Sequence, residues 1–119
     1  MTLHVLIYTD KMMGKARGNA ALFLIRIRPE YKDDKGLFMH ELTHVKQAWR
    51  GFLIFHALRI AFSKKYRYKC EIEAYTVQVK CYDKENRDYY ISALAKHLVS
   101  KYNLGISVDK AEYDIRAGL

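Results

Sequence analysis

The chain has 119 residues, which is too short for two ordinary domains. Half of its residues (50%) are hydrophobic, a fraction typical of a globular domain. Six scattered glycines and one proline exclude a repeat protein or a low-complexity chain. The net charge of +8 favours contact with anionic surfaces but does not by itself identify a partner. We therefore expect a single domain over residues 1–119.

The composition also bears on the compartment. The first apolar run, Leu3 to Tyr8, lacks a basic leader and a cleavage site, so it does not predict a secretory signal. The longest apolar stretch, Phe52 to Phe62, is too short to span a bilayer as a helix. Cys70 and Cys81 lie too far apart on one predicted helix to form a disulfide. These features predict a cytoplasmic protein with reduced thiols and no membrane span.

Two short apolar segments near the start of the chain predict β-strands. Leu3 to Thr9 and Ala21 to Arg28 are rich in β-branched and apolar residues, and they surround a polar loop that contains Gly14 and Gly18. The rest of the chain has mainly helical periodicity. The expected fold is therefore α+β, with a small antiparallel sheet or hairpin packed on three to four helices.

Residues 40 to 44 form an HExxH pattern inside a segment with helical periodicity. At about 100° per residue, His40 and His44 lie one turn apart on the same helix face, so both imidazoles can bind one Zn²⁺. Glu41 projects beside them, where its carboxylate can act as the general base for a zinc-bound water. The pattern thus predicts a zinc hydrolase site, and the alternative is a surface helix that carries two histidines.

The flanking residues define this helix. Asp33 or Asp34 can cap its start, and Gly51 can end it. The stripe that contains the histidines adjoins an apolar stripe. We therefore expect the histidines to border the core.

The segment 52–69 is apolar in its first part and basic towards its C-terminal end. The apolar residues predict a buried or lid-like helix, in which His56 is a hydrogen-bonded core or lid residue. The basic end has no acidic residue and contains Arg59, Lys64, Lys65, Arg67 and Lys69. Such a patch can contact nucleic acid, anionic lipid or an acidic substrate, and the alternative is a solvated surface.

A catalytic zinc site requires a third protein ligand. Glu71 and Glu73 are the nearest downstream carboxylates, on a second predicted helix that begins with Tyr68 and runs to about Asp83. They lie about 200° apart around a helix, so only one can face the metal. Cys70, which adjoins them, is an alternative ligand.

The HExxH pattern and the segment Glu71 to Ala74 together resemble the gluzincin group of zinc metallopeptidases, over residues 36–80. The resemblance implies a minimal zincin-like fold, Zn²⁺ as the cofactor, Glu71 as the third ligand and a peptide or protein substrate. Many gluzincins have Glu-x-x-Ala-Asp here, where the Asp supports a histidine ligand, whereas this chain has Tyr75 at that position. Glu73 stays open as the rival ligand.

The resemblance also suggests how substrate is bound. In such enzymes an edge strand aligns an extended peptide beside the zinc, which makes Ala21 to Arg28 the candidate, with a structural hairpin as the alternative. Candidates for stabilising the oxyanion are Tyr66, Tyr68, Tyr75 and His97.

Two further helices are predicted in the last third of the chain. One runs from Asp88 to Tyr102 and is ended by Asn103 to Gly105, and a short one starts with a capping box at Asp109 and ends at Ala117 or Gly118.

The predicted function is a zinc-dependent hydrolase, most directly a metallopeptidase. The competing prediction is a non-catalytic zinc-containing protein that uses residues 59–69 to bind nucleic acid or another anionic partner. So short a chain predicts a shallow, open site, or one completed by a partner or a second copy, and it does not define the oligomeric state.

Overall fold

The computed structural model describes residues 2–11, 14–102 and 105–119. Within these ranges the chain forms three strands, five α-helices and two short 3₁₀ turns, so the predicted α+β class is confirmed, with one or two more helices than expected. The elements are β1 Val5–Tyr8, β2 Gly18–Ala21, β3 Leu24–Ile27, α1 Lys35–Arg50, α2 Ile54–Phe62, α3 Lys64–Lys80, α4 Arg87–Lys101 and α5 Val108–Ala117.

The three strands form one mixed sheet in the order β1-β3-β2. β3 is parallel to β1, with Leu24 opposite Val5, and antiparallel to β2, with Ile27 opposite Gly18. The sheet is thus mixed and not purely antiparallel. Part of the segment predicted as a polar loop forms β2, which runs opposite to β1 and β3 and therefore leaves those two strands parallel. The β2–β3 turn contains Leu22 at a φ of 56° in place of the Gly or Asn that usually marks such turns.

The position of β3 changes the expected substrate strand. β3 lies between β1 and β2, and both of its edges already have backbone partners. An added peptide strand needs a free edge. The expectation that Ala21 to Arg28 binds the substrate backbone by strand addition is therefore wrong for Leu24–Ile27. The edge strands of the sheet are β1 and β2, and only these could pair with an added peptide.

Two apolar clusters flank the helices α1 and α3. One lies between the sheet and α1 and contains Ile25, Ile27, Leu37 and Val45. The other lies among the last three helices and contains Tyr75, Val79, Ile91, Ala95, Leu98, Ala111 and Ile115. Because α1 and α3 pack on each other between these clusters, residues at their contact are withdrawn from solvent.

Helix α1 begins and ends where the sequence predicts. The Asp34 carboxylate accepts a hydrogen bond of 2.9 Å from the Leu37 backbone N–H, and Gly51 follows the last turn. The Tyr82 hydroxyl, after α3, also donates to Asp34. The start of α1 is thereby held against the end of α3.

Of the two predictions for the segment after α1, a buried or a lid-like helix, the buried one is wrong. Helix α2 has one buried residue, His56, while most of its apolar side chains are exposed. The turn before it places Phe52 and Leu53 at positive φ. Helix α3 then starts at Lys64, earlier than the predicted Tyr68, because the Ser63 hydroxyl caps it by accepting a hydrogen bond from Tyr66 N–H.

The last two helices match the prediction closely. Residues 103 and 104 of the predicted stop after α4 lie outside the described ranges. Helix α5 is capped by Ser107, whose hydroxyl accepts from the Lys110 N–H, and not by Asp109. Cys70 and Cys81 are free thiols. None of the described helices is long and apolar enough to cross a membrane.

We predict that Gly36→Ala lowers the free energy of unfolding by about 1 kcal/mol or more. A methyl group on Gly36 would lie 2.6 Å from the Tyr82 ring, which Tyr90 and Asp34 hold in place. Elsewhere in a helix the same change stabilises by up to about 1 kcal/mol, so the sign is diagnostic. Chemical denaturation of the variant and of the exposed neighbour Lys35→Ala measures it, and a stabilised G36A protein would contradict this packing.

Candidate metal centre

The two histidines of α1 and one glutamate of α3 bring their donor atoms together. Nε2 of His40 and Nε2 of His44 are 3.2 Å apart. The Glu71 carboxylate lies 3.5 Å from the first of these atoms through Oε2, and 3.4 Å from the second through Oε1. The three side chains thus form a compact group of potential metal ligands.

The spacing of these donors fits a small tetrahedral ion. Zinc binds imidazole nitrogen at about 2.0–2.1 Å, which places neighbouring tetrahedral donors about 3.4 Å apart. The two nitrogens are 3.2 Å apart, and each lies 3.4 or 3.5 Å from a different oxygen of Glu71, Oε1 for His44 and Oε2 for His40. One ligand atom from each of the three residues lies within 4.8 Å of the other two. Two imidazoles and one carboxylate are also a donor set that zinc accepts in catalytic sites. His40, His44 and Glu71 could therefore hold a divalent ion without a large rearrangement.

Gln47 orients the ring of His44. Nδ1 of His44 lies 2.9 Å from Oε1 of Gln47, and the Gln47 amide nitrogen donates to the Cys70 carbonyl at 2.9 Å. Because the amide nitrogen is used there, the oxygen accepts from Nδ1–H of His44, so Nε2 is the ring nitrogen that can bind a metal. Sequence reasoning missed Gln47. Its position three residues after His44 on the same helix was the available signal.

Tyr102 supports the carboxylate of Glu71. Its hydroxyl, just after α4, donates a 2.9 Å hydrogen bond to Oε1. The other oxygen, Oε2, remains available for a metal. No local pattern links Tyr102 to residue 71, so this contact could not be predicted from the sequence.

Tyr75 occupies the position at which many gluzincins have an aspartate. Its ring packs edge-on against His40, with centroids 4.5 Å apart. Within the described ranges, the buried Nδ1 of His40 has no hydrogen-bond partner. The tyrosine thus holds the ring of His40 by aromatic contact and supplies no acceptor for Nδ1–H.

Glu41 lies at the edge of the same cleft. It is 6% exposed, and no side chain of the described residues donates a hydrogen bond to its carboxylate. Burial raises the pKa of Glu41, while positive charge on His40 and His44 opposes the rise. A carboxylate with a raised pKa and no fixed donor is a stronger proton acceptor than an ordinary glutamate.

The other candidate ligands lie elsewhere. Glu73 is on the outer side of α3, where both of its oxygens pair with Arg50 at 3.0 and 3.1 Å. Cys70 contributes only its carbonyl to the histidine side, and its side chain lines a separate cleft with Tyr66. The structure therefore brings Glu71, and neither Glu73 nor Cys70, to the two histidines.

Most of the side chains predicted to stabilise the oxyanion are occupied or distant. The Tyr68 hydroxyl donates to Asp114 on α5, away from the cleft. The Tyr66 hydroxyl lies 2.8 Å from Nδ1 of His56. His97 is exposed on α4, with its ring 6.5 Å from that of Tyr75. Of these four candidates, Tyr75 alone touches a histidine ligand, through its ring.

The candidate metal ligands face a cleft of about 340 Å³. One wall is strand β2, through Gly18, Asn19 and Ala20, and another is the inner side of α2, through His56 and Ile60. Lys101 and Tyr102 close the end of α4 against it. The cleft thus brings together the outer strand β2, the Glu41 carboxylate and the candidate metal ligands.

Glu71 and His44 perturb each other's protonation. Burial alone would lower the pKa of His44, but the hydrogen bond and charge of Glu71 raise it to about 9. Burial would likewise raise the pKa of Glu71, but hydrogen bonds and charge from the two imidazoles hold it well below its usual range. A metal must therefore displace a proton that His44 holds at neutral pH.

Comparisons of the chain with models of known protein families, with curated proteins and with solved structures gave no match. The resemblance to gluzincins therefore stays a prediction that rests on the motif residues.

We predict that Glu71→Ala lowers zinc affinity about 10-fold or more, because it removes one of three ligands. Glu73→Ala is the matched control and should leave the affinity unchanged, since that side chain pairs with Arg50. Competition with a chromophoric chelator measures both. The opposite order would assign the site to Glu73.

We predict that zinc stabilises the protein more at pH 9 than at pH 6.5. The pKa of His44 is raised from 6.5 to about 9, so its protonated form stabilises the metal-free fold fully below pH 6.5, and this contribution is lost as the pH rises through 9. Zinc needs the neutral imidazole. Thermal midpoints with zinc and with chelator measure the difference.

The Glu71→Gln variant is the control for this pH dependence. Without the carboxylate that raises the pKa of His44, the metal-free variant should lose less thermal stability between pH 6.5 and 9 than the metal-free native protein does. A zinc effect that does not change between pH 6.5 and 9 in the native protein would contradict binding at His44.

Proposed function

We propose that the protein is a zinc-dependent hydrolase, and most specifically a metallopeptidase. The observation that carries the proposal is the convergence of His40, His44 and Glu71 in one cleft with a buried carboxylate, Glu41, to which no side chain in residues 2–11, 14–102 and 105–119 donates a hydrogen bond. A structural metal site needs no such base. Two histidines and a carboxylate also leave a fourth tetrahedral position open, as a catalytic site requires.

The three ligands would hold Zn²⁺, which when bound would polarise a carbonyl oxygen and lower the pKa of a water. The remaining chemistry belongs to the chain. Glu41 accepts the proton of the attacking water, a role favoured by its raised pKa, and returns it to the leaving amine. Gln47 and Tyr102 keep His44 and Glu71 in their orientations during this exchange.

Negative charge on the substrate carbonyl can be stabilised from two sides of the cleft. Lys101 lines the cleft and lies close enough for its charge to lower the pKa of Glu41. His56 lines the opposite wall, with Tyr66 at its Nδ1. Cations and N–H donors near a developing oxyanion favour the transition state over the ground state. We propose these two residues for that role in place of Tyr68 and His97.

An extended peptide fits the free edge of the sheet. β2 is an edge strand, and three of its four residues line the cleft. A peptide that adds to β2 would bond through its main chain, which suits a hydrolase of peptide bonds with broad sequence tolerance. We therefore propose β2, and not β3, as the substrate strand. The free thiols of Cys70 and Cys81 suit a reducing, cytoplasmic setting.

We predict that Glu41→Gln retains zinc but lowers the turnover number by about 10²-fold or more, because it removes the proton acceptor and leaves the ligands intact. Hydrolysis of a mixed peptide library, followed by mass spectrometry, measures turnover across many peptide sequences at once. Glu73→Gln is the control, as an exposed carboxylate on the other side of α3.

Zinc content decides between the hydrolase and the competing function. The non-catalytic binding protein would be favoured if the native protein binds one zinc but cleaves no peptide, and if its zinc content equals that of the Glu41→Gln variant. Loss of zinc from the Glu41→Gln variant would show instead that Glu41 belongs to the ligand set.

A further inference from the structure

Helix α2 turns an apolar face to solvent along its whole length. Phe62 is 85% exposed and Ile54 is 68% exposed, and Leu58 and Phe55 are each more than half exposed. At about 100° per residue these four side chains share one side of the helix. His56 and Ile60, on the other side, line the metal cleft.

Phe52 extends this face into the turn before α2. It is 79% exposed and has a φ of 58°, a conformation that bulky residues rarely adopt. We call Phe52, Ile54, Phe55, Leu58 and Phe62 the apolar face. Single exposed apolar residues are common, but five within eleven positions on a folded helix and its turn mark an interaction surface.

The segment that carries the apolar face is basic in sequence, and in space Arg59 and Lys69 share a cleft with one carboxylate, Glu73, which pairs with Arg50. Between residues 51 and 70 the sequence has no Asp or Glu. Arg67 is used internally, since its guanidinium donates to the Ile60 carbonyl and ties α2 to α3. The remaining cations are exposed, and we call them the basic rim: Arg59, Lys64, Lys65 and Lys69.

Two of these cations stand where they oppose the helix dipole. Lys64 and Lys65 are the first two residues of α3, and the first turn of that helix has no acidic residue. A positive charge at a helix N-terminus lowers helix stability. Their placement therefore gains nothing for the fold, and it brings positive charge next to the end of the apolar face at Phe62.

We propose that α2 docks on the surface of an anionic lipid bilayer. The apolar face enters the boundary between headgroups and acyl chains, and the basic rim contacts the anionic headgroups. An apolar helix face bordered by Lys and Arg is the combination that such surfaces bind. Because the inner side of α2 lines the metal cleft, docking would hold that cleft close to the membrane.

Charge distinguishes this occupant from the others. A symmetric dimer through α2 would bring two basic rims together, and their repulsion opposes it. Nucleic acid could use the cations and stack bases on the three phenylalanines, but it would leave the aliphatic side chains of Ile54 and Leu58 without an apolar partner. An anionic bilayer satisfies both the apolar face and the basic rim.

Flotation of the full chain with vesicles tests the proposal. We expect binding to vesicles of phosphatidylcholine with roughly 30% phosphatidylserine, and binding at least about 10-fold weaker to phosphatidylcholine alone or at high salt. The double variant Phe55→Ser, Phe62→Ser should bind the mixed vesicles at least about 10-fold more weakly, because two phenyl groups no longer enter the interface.

Matched controls separate docking from general stickiness. Tyr89→Ser with Tyr113→Ser removes two aromatic side chains that are about 70% exposed on α4 and α5, and vesicle binding should not change. Lys64→Glu with Lys65→Glu should weaken binding about 10-fold without loss of thermal stability, since acidic residues suit a helix N-terminus. Lys84→Glu with Lys96→Glu is its charge-matched control.

The outcomes are distinct from those for the hydrolase. The Glu41→Gln variant and the chelated protein should bind vesicles as the native protein does. The proposal is overturned if the native chain does not float with the mixed vesicles, or if the control variants lose as much binding as the α2 variants. Tighter binding to an oligonucleotide than to the mixed vesicles would also overturn it. So would self-association of a native chain that does not bind lipid, if the Phe55→Ser, Phe62→Ser variant abolishes that self-association.

Discussion

The contact between α1 and α3 withdraws two imidazoles and two carboxylates from water, and the rest of the structure is arranged around that burial. His40, Glu41 and Glu71 are each less than a tenth exposed. Such groups are costly to bury unless each has a partner of opposite charge or a hydrogen bond. Glu71 lies within 3.5 Å of both histidines, so removing it would leave Glu41, which forms no ion pair with them in the described part of the chain, as the carboxylate whose charge acts on the two rings.

The register of α1 on α3 decides whether these groups meet. A shift of one residue along α3 would turn Glu71 away by about 100°, and the same shift along α1 would turn the two histidines away. The Asp34 cap, the Tyr82 ring beside Gly36 and the Gln47 bond to the Cys70 carbonyl hold the two helices together at separate points along their contact. The same bonds that align the helices also orient His44, so helix packing and site geometry have common causes.

The parts of the site that follow from local periodicity could be predicted. The limits of α1, the common face of His40 and His44, and the alternation of Glu71 and Glu73 all depend on a regular helix and its caps. The choice between Glu71 and Glu73 needed the structure, since it depends on which side of α3 meets α1. Gln47 and Tyr102 became visible only once distant segments were placed together.

Other features were hidden because the sequence lacks the usual signals. Strand β2 contains Gly18, Asn19 and two alanines, and its turn uses Leu22, so neither strand propensity nor turn chemistry marked the hairpin. The apolar residues of α2 suggested burial, but periodicity shows only which residues share a face and not what that face contacts. In the structure one side of α2 is apolar and exposed, and the opposite side lines the cleft of the candidate metal ligands.

The central claim is that His40, His44 and Glu71 hold one metal ion. X-ray absorption at the zinc edge of the zinc-loaded protein tests it most directly, because it counts ligand types without a substrate. We predict nitrogen and oxygen neighbours at about 2.0–2.1 Å, with the outer scattering of two imidazoles and no sulfur. A sulfur neighbour at about 2.3 Å, which would bring in Cys70, or the scattering of fewer than two imidazoles, would contradict the account.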